Sequence, residues 1–229
     1  MNTTVVILGI VLLILIFYML FSQYFDGSTS EKDEKSLSRD SVASIPYTKL
    51  TKPDAARFTY SIWVYVDSWN TGSEKIIFQR DYDTKLYLDE NRSILMLKTG
   101  SSTSSTEIYS NTIEITNNFP LQKWVHVLIS IDNQICDVYL DGKMVKSVQL
   151  TGDPPFNSNM KDKDIGFGGG WDAYISKFER QITPTDPKGA YDKYAEGAGA
   201  TSIGKALGNY NVNLTFLQDN IETSKFALF

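Results

Sequence analysis

The sequence carries one histidine, His126, and one cysteine, Cys136. A zinc site or a nucleophile–base pair would have to be assembled around them, with no second imidazole or thiol to complete a ligand set. His126 stands between Val125 and Val127 in an alternating apolar run. That puts it on the other face of a strand, where a packed or hydrogen-bonded imidazole is the simpler reading. Cys136 reads as a small buried hydrophobe. Paired carboxylates are the other common engine of hydrolysis, but Glu107 and Glu114 are separated by an uneven stretch. Asp81 and Asp83 offer two carboxylates on one side of a turn, and Asp162 and Asp164 offer another pair. Calcium needs roughly six to eight oxygen ligands, so each pair is a fragment of a site and a solvated turn is the plain alternative. Ile165–Trp171 (IGFGGGW) invites a phosphate-loop reading, but that loop must open a helix and a strand follows here. Trp69 and Trp171 lie in turn-rich segments, where an exposed indole could stack on a sugar ring or anchor a partner, with rim packing as the alternative. Phe226 and Phe229 belong to an apolar C-terminal run that would suit docking on a partner. No catalytic residue and no cofactor is expected.

The elements that would position these residues are short strands. Phe58, Tyr60, Ile62, Val64 and Val66 alternate with Thr59, Ser61, Trp63, Tyr65 and Asp67, the period of a strand with two bulky faces. Lys75–Arg80, Lys85–Leu88, Ser93–Lys98, Glu107–Thr116, Lys123–Asp132, Tyr174–Ile182 and Asn211–Leu217 read the same way. Ile135–Leu140 and Lys143–Leu150 flank Asp141-Gly142, a dipeptide suited to a type I′ hairpin because both positions need φ > 0. Pro184 and Pro187 open a short helix over Lys188–Glu196, and Gly197 stops it. The sum is an all-β, antiparallel two-sheet sandwich with one short helix.

Val5–Phe21 (VVILGIVLLILIFYMLF) is uncharged. As a helix it would reach roughly 26 Å at about 1.5 Å per residue, near the hydrocarbon thickness of a bilayer. A cleaved signal would want a basic start and a small-residue cleavage site, and neither is evident, so residues 1–25 are expected to be a transmembrane anchor. Residues 26–45 are polar and charged and read as a tether, leaving 46–229 as the folded domain. Lys32, Lys35 and Arg39 follow the apolar run and none precedes it, a bias that puts the domain on the cytosolic side of a single-pass protein. The lone cysteine points to the same, reducing side. Sequons at Asn2, Asn91 and Asn213 matter only in the opposite orientation. The formal net charge of −5, with 22 basic against 27 acidic residues and no basic tract, gives nucleic acid no electrostatic footprint.

Phe58-Thr59-Tyr60-Ser61-Ile62-Trp63-Val64, then Trp124-Val125-His126-Val127, then Val138-Tyr139-Leu140-Asp141-Gly142-Lys143 form an ordered series. This series resembles the concanavalin A-like jelly-roll domains of laminin-G or pentraxin type, over about Phe58 to Phe216. The resemblance implies a jelly-roll sandwich. It leaves open calcium at a sheet rim, with Asp81 and Asp83 as the candidate ligands. The glucanase branch places its carboxylates on one strand as E-x-D-x-x-E, a spacing absent here, so an enzyme is not expected. The layout of anchor, tether and disulfide-free domain is similar to membrane-anchored minor capsid proteins of large icosahedral DNA viruses. The resulting expectation is a non-enzymatic structural protein that links a membrane, through residues 5–21, to a protein shell of capsid or other structural partners. The alternative is a membrane-anchored glycan-binding or adhesion module. Sites for a partner or ligand would be Trp69, Trp171, Phe226 and Phe229.

Overall fold

The computed structural model describes residues 13–14, 28–31, 33–38, 43–101, 108–151, 162–198, 213–218 and 221–227. Its strands are β1 (Ser28–Glu31), β2 (Lys35–Ser36), β3 (Arg57–Val66), β4 (Lys75–Arg80), β5 (Thr84–Leu88), β6 (Leu95–Ser101), β7 (Tyr109–Thr116), β8 (Trp124–Asp132), β9 (Ile135–Leu140), β10 (Lys143–Gln149), β11 (Gly166–Phe167), β12 (Ala173–Gln181), β13 (Asn213–Gln218) and β14 (Ile221–Ala227). An α-helix of nine residues, α1, spans Pro187–Ala195.

Two antiparallel sheets form the sandwich. The larger runs β1-β12-β3-β8-β9-β10, with β2 also on β12, and the smaller runs β11-β4-β5-β6-β7. A separate hairpin joins β13 to β14. Period-two alternation sorts the residues as the sequence requires. Phe58, Tyr60, Ile62, Val64 and Val66 of β3, with Val125, Val127, Ile129 and Ile131 of β8, face inward and meet Phe78, Leu86, Leu97 and Ile113 of the smaller sheet. In β12 an extra residue between Ser176 and Glu179 makes a bulge, and Lys177 takes φ 48° there. The bulge resets the alternation, so Phe178 and Arg180 turn into the interior.

The interior also holds charge. Asp83 is fully buried and accepts from Tyr60 OH (2.6 Å), Arg80 Nη1 (3.2 Å) and Thr84 Oγ1 (3.0 Å). Arg80 also donates to the carbonyls of Lys163 and Pro53. Arg180 donates to those of Thr51 and Lys52, so two buried guanidiniums fasten the 51–53 loop over the sandwich. Burial beside the Asp83 carboxylate raises the Tyr60 pKa well above its ordinary value.

Part of the expected tether is ordered. Ser28–Glu31 pairs with Phe178–Gln181, Lys35 and Ser36 pair with Ile175 and Tyr174, and Leu37 is wholly buried. These polar residues gain strand structure from the free edge of β12, a long-range partner that local composition does not reveal. Of the apolar stretch 5–21 only Leu13 and Ile14 are described, helical and exposed. Among the described residues no helix is long and apolar enough to cross a membrane. The expected anchor thus lies almost wholly outside the described residues.

Candidate functional site

The outward face of the larger sheet is unusual for its aromatic content. Tyr174 of β12 pairs with Tyr65 of β3, and Tyr65 pairs with Trp124 of β8, so the three residues stand side by side across neighbouring strands. Ring centroids are 6.2 Å apart from Tyr174 to Tyr65 and 5.5 Å from Tyr65 to Trp124, with planes inclined by 63° and 50°. All three are half-buried, leaving part of each ring open to solvent. Outward strand positions are ordinarily polar, and a contiguous aromatic row is the kind of exposed feature that marks a binding surface.

One step along the same strands lies a second row, Ser176, Trp63 and His126, in the same register. This one is covered. Tyr194 of α1 stacks on Trp63 at 5.7 Å with 23° between planes, and Trp63 and His126 are 6% and 1% exposed. The helix is seated by several contacts. Asp186 caps it by accepting from the Gly189 N–H, and Ala190 packs on Leu128 and Tyr139. Lys193 pairs with Glu179, and Lys177 and Ser176 donate to the carbonyls of Glu196 and Ala198. Gly142 in the β9–β10 turn lets the helix approach closely. A Cβ there would stand 3.1 Å from both Tyr191 Cα and Tyr194 Cβ, and φ is already +74°.

His126 Nε2 and Ser61 Oγ are 2.9 Å apart. A nucleophile and a base at hydrogen-bond distance would start a hydrolytic site. The third member is not there, however. His126 Nδ1 has no hydrogen-bond partner among the described residues, and Asp141 instead accepts from the His126 backbone N–H and from Lys123. Burial pushes the imidazole pKa down to about 4, which keeps it neutral at physiological pH. The pair satisfies two buried polar groups beneath α1.

Of the two acidic pairs read from sequence, the structure parts Asp81 from Asp83 and keeps Asp162 with Asp164. Asp83 is committed to Tyr60, Arg80 and Thr84 inside the sandwich, whereas Asp81 lines a shallow open pocket of about 430 Å³ with Asp162, Asp164, Lys163 and Tyr47. Asp164 there accepts from the Tyr47 N–H. Among the described residues no group of three or more acidic, histidine or cysteine side chains is placed to hold a metal ion. Asp81 and Asp83 therefore do not fit a shared calcium site. Trp171, expected in a turn where it could meet a ligand, is 3% exposed and donates its indole N–H to the Ile76 carbonyl. It is a core residue, because the Gly168–Gly170 turn folds its indole back under the sheet rather than outward. Trp69 is half-buried against the core, and Lys75 Nζ lies 4.4 Å above its ring, so that face is taken. Phe226 lies in β14 opposite Leu214, and Phe229 falls outside the described residues. Glu114 is exposed on β7, and Glu107 is outside the described residues. The row that does face solvent, Tyr174–Tyr65–Trp124, was not singled out from sequence. Its signal was an aromatic at an outward position on each of three recognised strands, but their adjacency depends on sheet order.

Residues 37–179 match the family described as the concanavalin A-like lectin/glucanases superfamily, Laminin G type. The chain belongs to this superfamily. The resemblance drawn from the ordered strand motifs is thus shown, and the sandwich is of its jelly-roll kind. Among curated proteins none matches the sequence significantly. Of solved structures, the CBM40 of the Ruminococcus gnavus IT-sialidase, bound to α2,3-sialyllactose, superposes with a TM-score of 0.54 at 9% identity, over 72% of this chain and 97% of that one. The binding domain of botulinum neurotoxin DC in complex with rat synaptotagmin II gives 0.53 at 12% identity, over 74% of this chain and 46% of that one. At such identities these likenesses speak for the superfamily's fold alone.

Proposed function

We propose that this domain is a non-enzymatic carbohydrate-binding module and that the Tyr174–Tyr65–Trp124 row is its ligand face. The observation that carries the proposal is the row itself: partly exposed rings, in register across adjacent strands, on a sheet face where polar side chains are the norm. The face of an aromatic ring is its negative side, and it attracts the polarised C–H groups on one side of a pyranose. Such rings also lose little conformational freedom on binding. Membership of a superfamily described by lectins and glucanases supports the reading. The lectin half is favoured because the carboxylates that share a pocket, Asp81, Asp162 and Asp164, line a shallow open one beside Lys163 rather than an enclosing cleft.

A glycan array probed with the full chain tests it, with and without calcium, and beside Trp124→Ala and Tyr65→Ala. Binding by the wild type, lost by about 1–3 kcal/mol or more in each variant, supports the module. An array blank in both conditions, or binding indifferent to both substitutions, overturns it.

The membrane arrangement is proposed on the sequence alone: residues 5–21 as a single-pass anchor with the domain on the cytosolic side. Protease protection on sealed vesicles tests it. A shielded domain would reverse the orientation and would make Asn91, exposed on the β5–β6 turn, an accessible glycan acceptor. A link to a capsid or other protein shell gains no support from the residues described.

A further inference from the structure

The sheet face beneath α1 holds polar atoms without partners. His126 Nδ1, Tyr139 OH and Asp137 Oδ1 are shielded from solvent and make no hydrogen bond among the described residues. Register gathers them. Tyr139 stands opposite Leu128 and Asp137 opposite Ser130, so both share the outward face that carries His126 two residues before Leu128. Tyr139 packs against Ala190 of α1, and Ser130 accepts the N–H of Thr185 just ahead of the helix. Unpaired polar groups under a helix cost free energy, and such groups in a native fold call for a partner that the fold does not supply.

The cover itself is slight. Helix α1 has nine residues with glycine inside, and Ala190 is its one buried residue. A helix so short has little stability of its own and depends on its docking contacts. Those contacts are the Tyr194 ring against Trp63 and His126, the Ala190 methyl on Leu128 and Tyr139, one ion pair and a few hydrogen bonds. Segments of this kind open locally far below the cost of global unfolding.

We propose that α1 is a displaceable cover over a second ligand subsite formed by Trp63, His126, Tyr139 and Asp137. It takes the adjoining unit of a hydroxyl-rich oligosaccharide seated on the Tyr174–Tyr65–Trp124 row. Trp63 stands two residues from Tyr65 on the same strand face, roughly 6.6 Å away along the strand, so the open row and the covered one form a continuous platform. With Tyr194 displaced, Trp63 offers a ring face. The imidazole nitrogen, the phenol and the carboxylate oxygen then offer hydrogen bonds of both senses to sugar hydroxyls. This inference rests on the carbohydrate-binding reading for the identity of the ligand, but not for the opening of the helix.

Because the chain has one histidine, its acylation by diethyl pyrocarbonate reports directly on His126. The full chain is treated under native conditions, and the adduct is followed by mass spectrometry. The rate of global unfolding is read from hydrogen exchange of the β8 amides in the same buffer. Acylation should run faster than global unfolding in the wild type, and about two- to tenfold faster again in Tyr194→Ala, as expected for loss of one aromatic pair. Lys193→Gln, which removes the ion pair to Glu179 and leaves both rows intact, should also accelerate it. Acylation at the unfolding rate in all three proteins overturns the cover. On the glycan array, Tyr194→Ala and Lys193→Gln should strengthen binding of the longer oligosaccharides over the shorter ones. Rapid acylation with an unchanged array profile in both variants overturns the subsite. An array blank for every protein removes the carbohydrate reading, and the acylation rates then still decide whether α1 opens.

Discussion

Tyr60 on β3 donates its hydroxyl to Asp83 at 2.6 Å, joining the two sheets through a hydrogen bond fully enclosed by the sandwich. The same carboxylate compensates Arg80, whose guanidinium in turn carries the backbone of two loops. The arrangement explains why a domain rich in apolar strands places an arginine and an aspartate at its centre. They tie together segments that are distant in sequence and that have few side chains to bury.

Replacing Asp83 with Asn keeps the shape but removes the buried carboxylate charge that faces Arg80 Nη1. Removing one member of a buried pair typically costs about 3–5 kcal/mol. Tyr60→Phe removes one buried donor and should cost less, about 1–3 kcal/mol. Urea unfolding of the two variants should give that order, and a smaller loss for Asp83→Asn than for Tyr60→Phe would refute it.

The pH dependence of stability should contain a signature of His126. Its pKa in the folded chain is about 4, against an ordinary value of 6.5, because burial disfavours the imidazolium. The unfolded chain therefore takes up a proton first as the pH falls. Stability from this group is fully present above about pH 6.5, falls as the pH drops below it, and is gone below about pH 4, a total of about 3 kcal/mol. His126→Gln should flatten that part of the profile. Chemical unfolding at a series of pH values checks it, and an unchanged slope between pH 6.5 and 4 would speak against a neutral buried imidazole.

Gly142 serves two requirements at once. The two-residue turn puts Asp141 at φ 47° and Gly142 at φ 74°, and the helix passes so near that a methyl group would touch Tyr191 and Tyr194. Gly142→Ala should cost about 1–2 kcal/mol from backbone strain alone. It should also push α1 outward, seen as faster amide exchange over 190–196 than in the wild type, while β3 and β8 stay protected.

Much of this architecture could be read from the residues. The Asp141-Gly142 hairpin, the alternation in β3 and β8, and the helix between Pro187 and Gly197 follow from local rules. β1 and β2 do not, since Ser28–Glu31 has no apolar pattern and becomes strand only because β12 offers an edge. Composition suggested Trp69 and Trp171 as open indoles for the same local reason, that turns lie at surfaces. Where a turn points its side chains depends on what folds over it, and Trp171 points inward. The two acidic residues of the β4–β5 turn likewise part company, because Tyr82 takes φ 64° between them and turns Asp83 inward.

Two tryptophan substitutions should separate packing from binding. Trp171 is enclosed in the core and hydrogen-bonded to Ile76, so Trp171→Ala should cost about 3–5 kcal/mol, as for other large core truncations. Trp124 is half-buried at the end of an outward row and packs against Tyr65, so Trp124→Ala gives up less enclosed surface than Trp171→Ala and should cost less, roughly 1–2 kcal/mol. If the aromatic row holds the ligand, the order inverts for binding. Trp124→Ala then abolishes glycan retention in a folded protein, whereas Trp171→Ala weakens it only in proportion to the fraction unfolded. Thermal unfolding measured beside glycan retention for both variants gives the comparison. A Trp124→Ala protein that is markedly destabilised would show this indole to be part of the core and would remove the ground for treating the row as a binding face.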